Sequence, residues 1–212
     1  MRAPEIQLHM NFGKDIIKYL SKINIKKAIE IGSGSGNGST QSFLKYFDSF
    51  ESNDKELHCF EPVESWFQDL EKNINQRSYC TLYNCSAISY SDLLVKNFDD
   101  DFYNTPYNKL KNQYDKNTLK TWYEQDLPYF KESEYSILPT IEADAVLIDG
   151  CEFSGYSEFK QLHPAIRLIF LDDCIKAFKT NQVYLELLKD KNWELIFVND
   201  ERNGYAIFGK KL

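Results

Sequence analysis

Four of the chain's nine glycines, Gly32, Gly34, Gly36 and Gly38, fall inside the single stretch AIEIGSGSGNGS at 28–39. Ordering glycine costs more chain entropy than ordering any other residue, so glycine this dense marks unusual backbone angles or the close approach of something else. The stretch follows an apolar run, KAIEI (27–31), and leads into a helical pattern near 38–50. A strand, a glycine-rich turn and a helix make a unit that cradles nucleotides, because the N–H groups at a helix start are free to meet a ligand.

The remainder of the chain repeats the alternation that such a unit requires. FGKDIIKYLSKI (12–23) places Phe12, Ile16, Ile17, Leu20 and Ile23 on one face and reads as a leading helix. LHCFE (57–61) is the second strand, and PVESWFQDLEKNI the helix after it, with Pro62 suited to its first turn and Trp66, Phe67 and Leu70 on its buried face. CTLYNCSAI (80–88) contains the third strand, ADAVLIDG (143–150) is the fourth, and RLIFLDD (167–173) the fifth. YSEFKQLH and NQVYLELLKD read as helices. WELIFVNDERNGYAIFGKK then reads as a hairpin about Asn203-Gly204, so the sheet ends on an antiparallel strand.

Residues 91–140 stand apart. They hold no glycine, three of the six prolines and ten of the 32 aromatic residues. Loops of this length inside a compact domain carry their own helices or serve as lids. Two readings stay open, a satellite aromatic core and a lid or substrate platform.

Composition narrows the function. With 25 basic and 32 acidic residues the formal charge is −7, and no Lys/Arg cluster is dense enough to track a phosphate backbone, so no nucleic-acid partner is expected. The five cysteines are odd in number and form no C-x-x-C pair, which suits a reducing compartment. MRAPEIQLHMNF has no apolar stretch of the secretory kind, and no run approaches the ~18 apolar residues of a membrane span. The expectation is a soluble, cytoplasmic protein with no membrane partner.

The glycine spacing departs from the dinucleotide fingerprint G-x-G-x-x-G: counting from Gly32 the third position is Asn37, and from Gly34 it is Ser39. Glu30, at the strand's end, would repel a pyrophosphate and attract an ammonium group. Glu61, at the end of the second strand, stands where an acidic side chain accepts ribose hydroxyls. A ligand with no phosphate and a positive charge, such as S-adenosylmethionine, fits these residues. A phosphate or NAD(P) site and a turn with no ligand are the alternatives.

EIGSGSG, FEP, VLIDG and FLDD, with the closing hairpin, resemble the class I S-adenosylmethionine-dependent methyltransferases. The resemblance implies an α/β, Rossmann-like three-layer sandwich with a seven-stranded, mostly parallel sheet whose last strand is antiparallel. One methyltransferase domain would span 1–212, with 91–140 as an insertion or lid. It would place Glu30 and the Gly32, Ser33, Gly34 and Gly36 backbone around the methionine portion of the cofactor, Glu61 and Pro62 at the ribose, and Ser86 and Ala87 near the adenine, with Asp149 also beside the cofactor.

LIDG and FLDD put Asp149, Asp172 and Asp173 at the carboxyl ends of adjacent strands. Converging carboxylates repel unless they are protonated or bridged by a cation, and oxygen ligands suit Mg²⁺, Ca²⁺ or Mn²⁺. An aspartate at a strand end also caps turns, which is the alternative. The pattern is similar to the metal-dependent small-molecule O-methyltransferases of the catechol and sugar types, which implies a Mg²⁺ or Mn²⁺ ion at these positions, receiving the acceptor hydroxyl. Relatives often carry Lys or His as base three residues beyond the first aspartate. This chain has Glu152, with His163 in reserve.

The implied activity is O-methylation of a small polar acceptor, such as a sugar or sugar nucleotide of bacterial surface-glycan biosynthesis. Expected partners are a small-molecule substrate and a second copy of the chain in a homodimer. An NAD(P)-dependent oxidoreductase and a non-catalytic S-adenosylmethionine-binding protein are the other classes.

Overall fold

A computed structural model describes residues 6–49, 54–74 and 76–211. The last residue of the helix expected over 38–50, and the first five of the N-terminal stretch, lie outside the described residues. In chain order the strands are β1 (Lys27–Ile31), β2 (Glu56–Phe60), β3 (Cys80–Tyr83), β4 (Ala145–Ile148), β5 (Leu168–Leu171), β6 (Trp193–Asn199) and β7 (Tyr205–Lys210). They form one seven-stranded sheet in the order β3-β2-β1-β4-β5-β7-β6. β1 to β5 pair in parallel, and β7 runs antiparallel between β5 and β6. The expected architecture, including its antiparallel last strand, is the one observed.

The central strands sort their side chains by the period of two that a pleated strand imposes. Ala28, Leu57, Ala145, Leu147, Leu168, Phe170 and Ile207 face one layer, and Ile29, Ile31, Val146, Ile148, Ile169, Leu171 and Phe208 the other. The first layer is covered by α1 (Asn11–Ile23), α2 (Thr40–Asp48) and α3 (Glu64–Ile74), through Ile16, Leu20, Phe43, Phe47 and Leu70. The second is covered by the long insertion and by α6 (Asn181–Leu187) through Val183 and Leu187, with α5 (Gly155–Lys160) on the same side. Each fully buried aromatic or aliphatic side chain contributes about 1.5–3 kcal/mol, so a sheet covered on both faces is the main store of stability.

The insertion folds into a π-helical turn over Phe98–Tyr103, a short 3-10 turn over Leu110–Asn112, and α4 (Lys116–Glu132). Asp115 caps α4 by accepting the N–H groups of Asn117 and Thr118. Its apolar side chains Leu119, Tyr123 and Phe130 pack with Phe98, Phe102 and Phe153 in the second core. Phe102 meets the Phe178 ring edge to face at 4.7 Å. A second row, Trp122, Gln125, Asp126 and Tyr129, recurs at i, i+3, i+4 and i+7 and faces a cavity instead.

The hairpin is wider than Asn203-Gly204 alone suggests. Strand pairing ends at Asn199 and Tyr205, and within the loop Arg202 and Gly204 take positive φ values of 58° and 87°. The turn is spread out because it is tied to the segment after β5: the Asn203 carbonyl accepts the N–H groups of Ile175 and Lys176, and that of Gly204 accepts Cys174. Among the described residues no helix is long and apolar enough to cross a membrane.

Candidate functional site

A cavity of about 490 Å³ opens over the carboxyl ends of the parallel strands, where an open α/β sheet presents its ligands' crevice. On one side it is bounded by the glycine loop and the end of β2, on the other by the ends of β4 and β5, and it is walled by α4.

The glycine loop is held from within. The N–H groups of Gly32 and Ser33 both donate to the Phe60 carbonyl at 3.0 Å, and Gly36 donates to Ser33. Gly34 donates to Glu61 Oε2 at 2.8 Å, while Glu61 Oε1 accepts from Val63 N–H, also at 2.8 Å. Glu61 is thus fixed by two backbone donors, and each carboxylate oxygen retains a second lone pair for a ligand. Burial pushes its pKa up to about 7 against those hydrogen bonds. Gly32 has φ +85°, and a Cβ there would lie 2.1 Å from the Asp149 carbonyl, so only glycine lets β1 and β4 end side by side.

The structure brings Gly32, Ser33, Gly34, Glu61, Pro62, Ser86, Ala87, Asp149, Glu152 and Asp173 to the cavity wall. Glu30, Gly36, Asp172 and His163 do not line it. Glu30 shares the strand face of Ala28 and points down into the layer under α2, fully buried. There its oxygens accept the hydroxyls of Ser39 at 2.5 Å and Thr40 at 2.7 Å. Burial raises its pKa against these hydroxyls, and both of its oxygens are engaged at the start of α2, away from the cavity wall. Gly36 faces α3, where a Cβ would lie 2.8 Å from Leu70 Cδ1. His163 lies beyond the end of α5, and its Nδ1 accepts the Ala165 N–H at 3.2 Å, the role of a turn cap.

The three aspartates do converge, but around a side chain that the sequence reading missed. Lys179 Nζ lies 2.6 Å from Asp149 Oδ1, 3.7 Å from Asp172 Oδ2 and 3.6 Å from Asp173 Oδ2. Arg202 Nη2 approaches Asp172 and Asp173 at 3.8 Å each. Burial penalises the Lys179 ammonium, yet the surrounding carboxylates outweigh it and hold its pKa well above the usual lysine value. Burial, and then Asp149 beside it, raise the Asp172 carboxyl well above the ordinary range. The residues do not fit the divalent ion that the resemblance implied: among the described residues no group of three or more His, Cys, Asp and Glu is arranged to hold a metal. The place between the carboxylates is filled by an ammonium group.

Other wall residues also escaped the sequence reading. Trp66 is 42% exposed and lines the cavity rather than a buried helix face. Glu158, buried on α5, accepts the Ser154 hydroxyl at 2.6 Å, and burial lifts its pKa to about 7. Asp126 on α4 is pushed by burial to about 6. Asn203 reaches the wall from the hairpin. The i, i+3, i+4, i+7 row on α4 was a usable signal; for Asn203 there was none.

No family model matches the sequence, and no curated protein matches it. Solved structures do match. The O-methyltransferase from Bacillus cereus in complex with S-adenosylhomocysteine (SAH) superposes with TM-score 0.59 at 12% identity, over 98% of this chain and 84% of that one. A methyltransferase from Geobacter sulfurreducens gives 0.58 at 8% identity, over 97% and 82%. The cofactor-bound protein Rv0187 from MTB gives 0.58 at 12%, over 98% and 83%. The chain shares its fold with these solved methyltransferases.

Proposed function

We propose that this protein is an S-adenosylmethionine-dependent methyltransferase acting on a hydroxyl of a small polar acceptor. One observation carries the choice of donor. The N–H groups of Gly32, Ser33, Gly34 and Gly36, which a pyrophosphate would need, are all consumed within the protein, one of them by Glu61. What stands beside the loop, at the end of β2, is the Glu61 carboxylate, which accepts ribose hydroxyls and repels phosphate.

Bound there, S-adenosylmethionine supplies an electrophilic methyl group on a sulfonium. Glu61 would accept the ribose hydroxyls, and the Ser86-Ala87 backbone would border the adenine. At the far side Glu152 takes the proton of the acceptor hydroxyl as it attacks, a general-base role that requires it at the cavity wall, where it stands. α4 excludes water and orients the acceptor, which is the positional part of catalysis.

A sugar or sugar nucleotide, as in the assembly of surface glycans, suits the aromatic faces of Trp122 and Tyr129 set beside the hydrogen-bonding Gln125 and Asp126. The five free thiols among the described residues fit a reducing compartment such as the cytoplasm.

Calorimetry with SAH and with NADH tests the reading. SAH should bind in the micromolar range and NADH not measurably. Binding of NADH with none of SAH would overturn it.

A further inference from the structure

We infer that Lys179 is a built-in cation: its ammonium stands where a divalent ion would otherwise bridge Asp149 and Asp173, and the wild-type site takes up no such ion. The argument is geometric. A cation held by three carboxylates must sit within reach of an oxygen from each, and that point is the Lys179 Nζ, at 2.6, 3.7 and 3.6 Å. Lys179 is 6% exposed, so its side chain has little room to swing out and admit an ion. Its backbone is fixed as well: a Cβ on Gly155 would lie 2.3 Å from the Lys179 carbonyl, so the start of α5 packs directly on it. Thr180, the next residue, donates its hydroxyl to the Asp172 carbonyl, and Asn181 Nδ2 donates to that of Cys174 at 2.8 Å. Arg202 adds a second positive charge at the outer edge of the cluster.

Lys179 and Asp149 both line the cavity. An ammonium has three donors. Its short contact to Asp149 uses one, so another can reach an acceptor oxygen and favour its deprotonated form, as a bound ion would. Lys179 thereby becomes a candidate catalytic residue of the transfer, and this part of the inference rests on the methyl-transfer reading. The claim about ion uptake does not.

The test is a Mn²⁺ titration at neutral pH, following the free-ion signal by electron paramagnetic resonance. Wild-type protein should take up no Mn²⁺ stoichiometrically at millimolar concentrations. Lys179→Ala empties the space between three oxygen donors, a set suited to a hard divalent ion. It should bind one Mn²⁺ per chain, about tenfold or more tighter than wild type, and adding Asp149→Asn should abolish that gain. Circular dichroism confirms that the variant is folded; if it is not, Lys179→Ser, which leaves the same space open, serves. One tight Mn²⁺ on wild type, lost in Asp149→Asn, overturns the inference, and so does a folded lysine variant with no gain. SAH calorimetry on the same samples reports separately on the methyl-donor reading, so the two fail independently.

Discussion

The two sides of the cavity solve one problem, holding carboxylates away from water, by different means. On the β1–β2 side the partners are neutral backbone N–H groups and hydroxyls: Glu61 takes the N–H groups of Gly34 and Val63, and Glu30 takes hydroxyls from Ser39 and Thr40. On the β4–β5 side the partners are charged side chains, Lys179 for all three aspartates and Arg202 for two of them. No cation offsets the first side, which turns negative toward the cavity as pH rises past about 7, whereas ion pairing offsets the charge of the second. On the proposed function, the difference separates a surface for a cationic ligand from one for an acceptor.

The contrast predicts where substitutions bite. Lys179→Ala, without added ion, should cost the most, about 3–5 kcal/mol of stability, because it strands buried carboxylates; urea unfolding measures it, and a loss within error would mean that the aspartates do not depend on the lysine. Glu61→Ala should weaken SAH binding by about 1.5–3 kcal/mol, the worth of hydrogen bonds to a charged acceptor, and unchanged calorimetry would remove Glu61 from the ribose. Glu30→Ala should act on folding alone, costing about 1–3 kcal/mol by leaving two hydroxyls unpaired. Its SAH affinity should stay within a factor of about three, and a larger drop would return Glu30 to the ligand.

SAH affinity should also depend on pH. Glu61 has its pKa raised to about 7 in the free protein, and only the carboxylate form accepts both ribose hydroxyls. Binding therefore favours loss of a proton. Affinity should rise with pH toward about 7, by up to about tenfold per unit, and level off above it. A flat profile between pH 5.5 and 7 would show that the raised pKa has no bearing on the ligand.

The same contrast explains what could be read from the sequence. Strands β1, β4 and β5 were legible because apolar runs between turn residues leave few other folds, and Glu61 because it directly follows the apolar run of β2. Glu30 lies off the cavity wall, as its strand phase allows: Ala28 and Glu30 share a face, and Ala28 is core. Asp149, Asp172 and Asp173 were located correctly, but their cation was sought outside the chain. Nothing in DDCIKAFKT distinguishes Lys179 from Lys176, and only the packing of Gly155 against the Lys179 backbone selects it. His163, the reserve base, opens the four-residue turn His163–Ile166, which Pro164 at its second position marks in the sequence.

The strand order has a consequence for the birth of the protein. β7 lies between β5 and β6, yet it leaves the ribosome after both. Until Tyr205–Lys210 emerges, β5 keeps a bare edge, and the ties from Asn203 and Gly204 to the Cys174–Lys176 segment are unmade. Gly34, Glu61 and Val63 bond one another within residues 34–63, whereas the segment after β5 waits for the hairpin. A polypeptide stopped short of β7 would leave β5 unpaired on its outer edge, so the side of the cavity that carries Asp172 and Asp173 is the last to be completed.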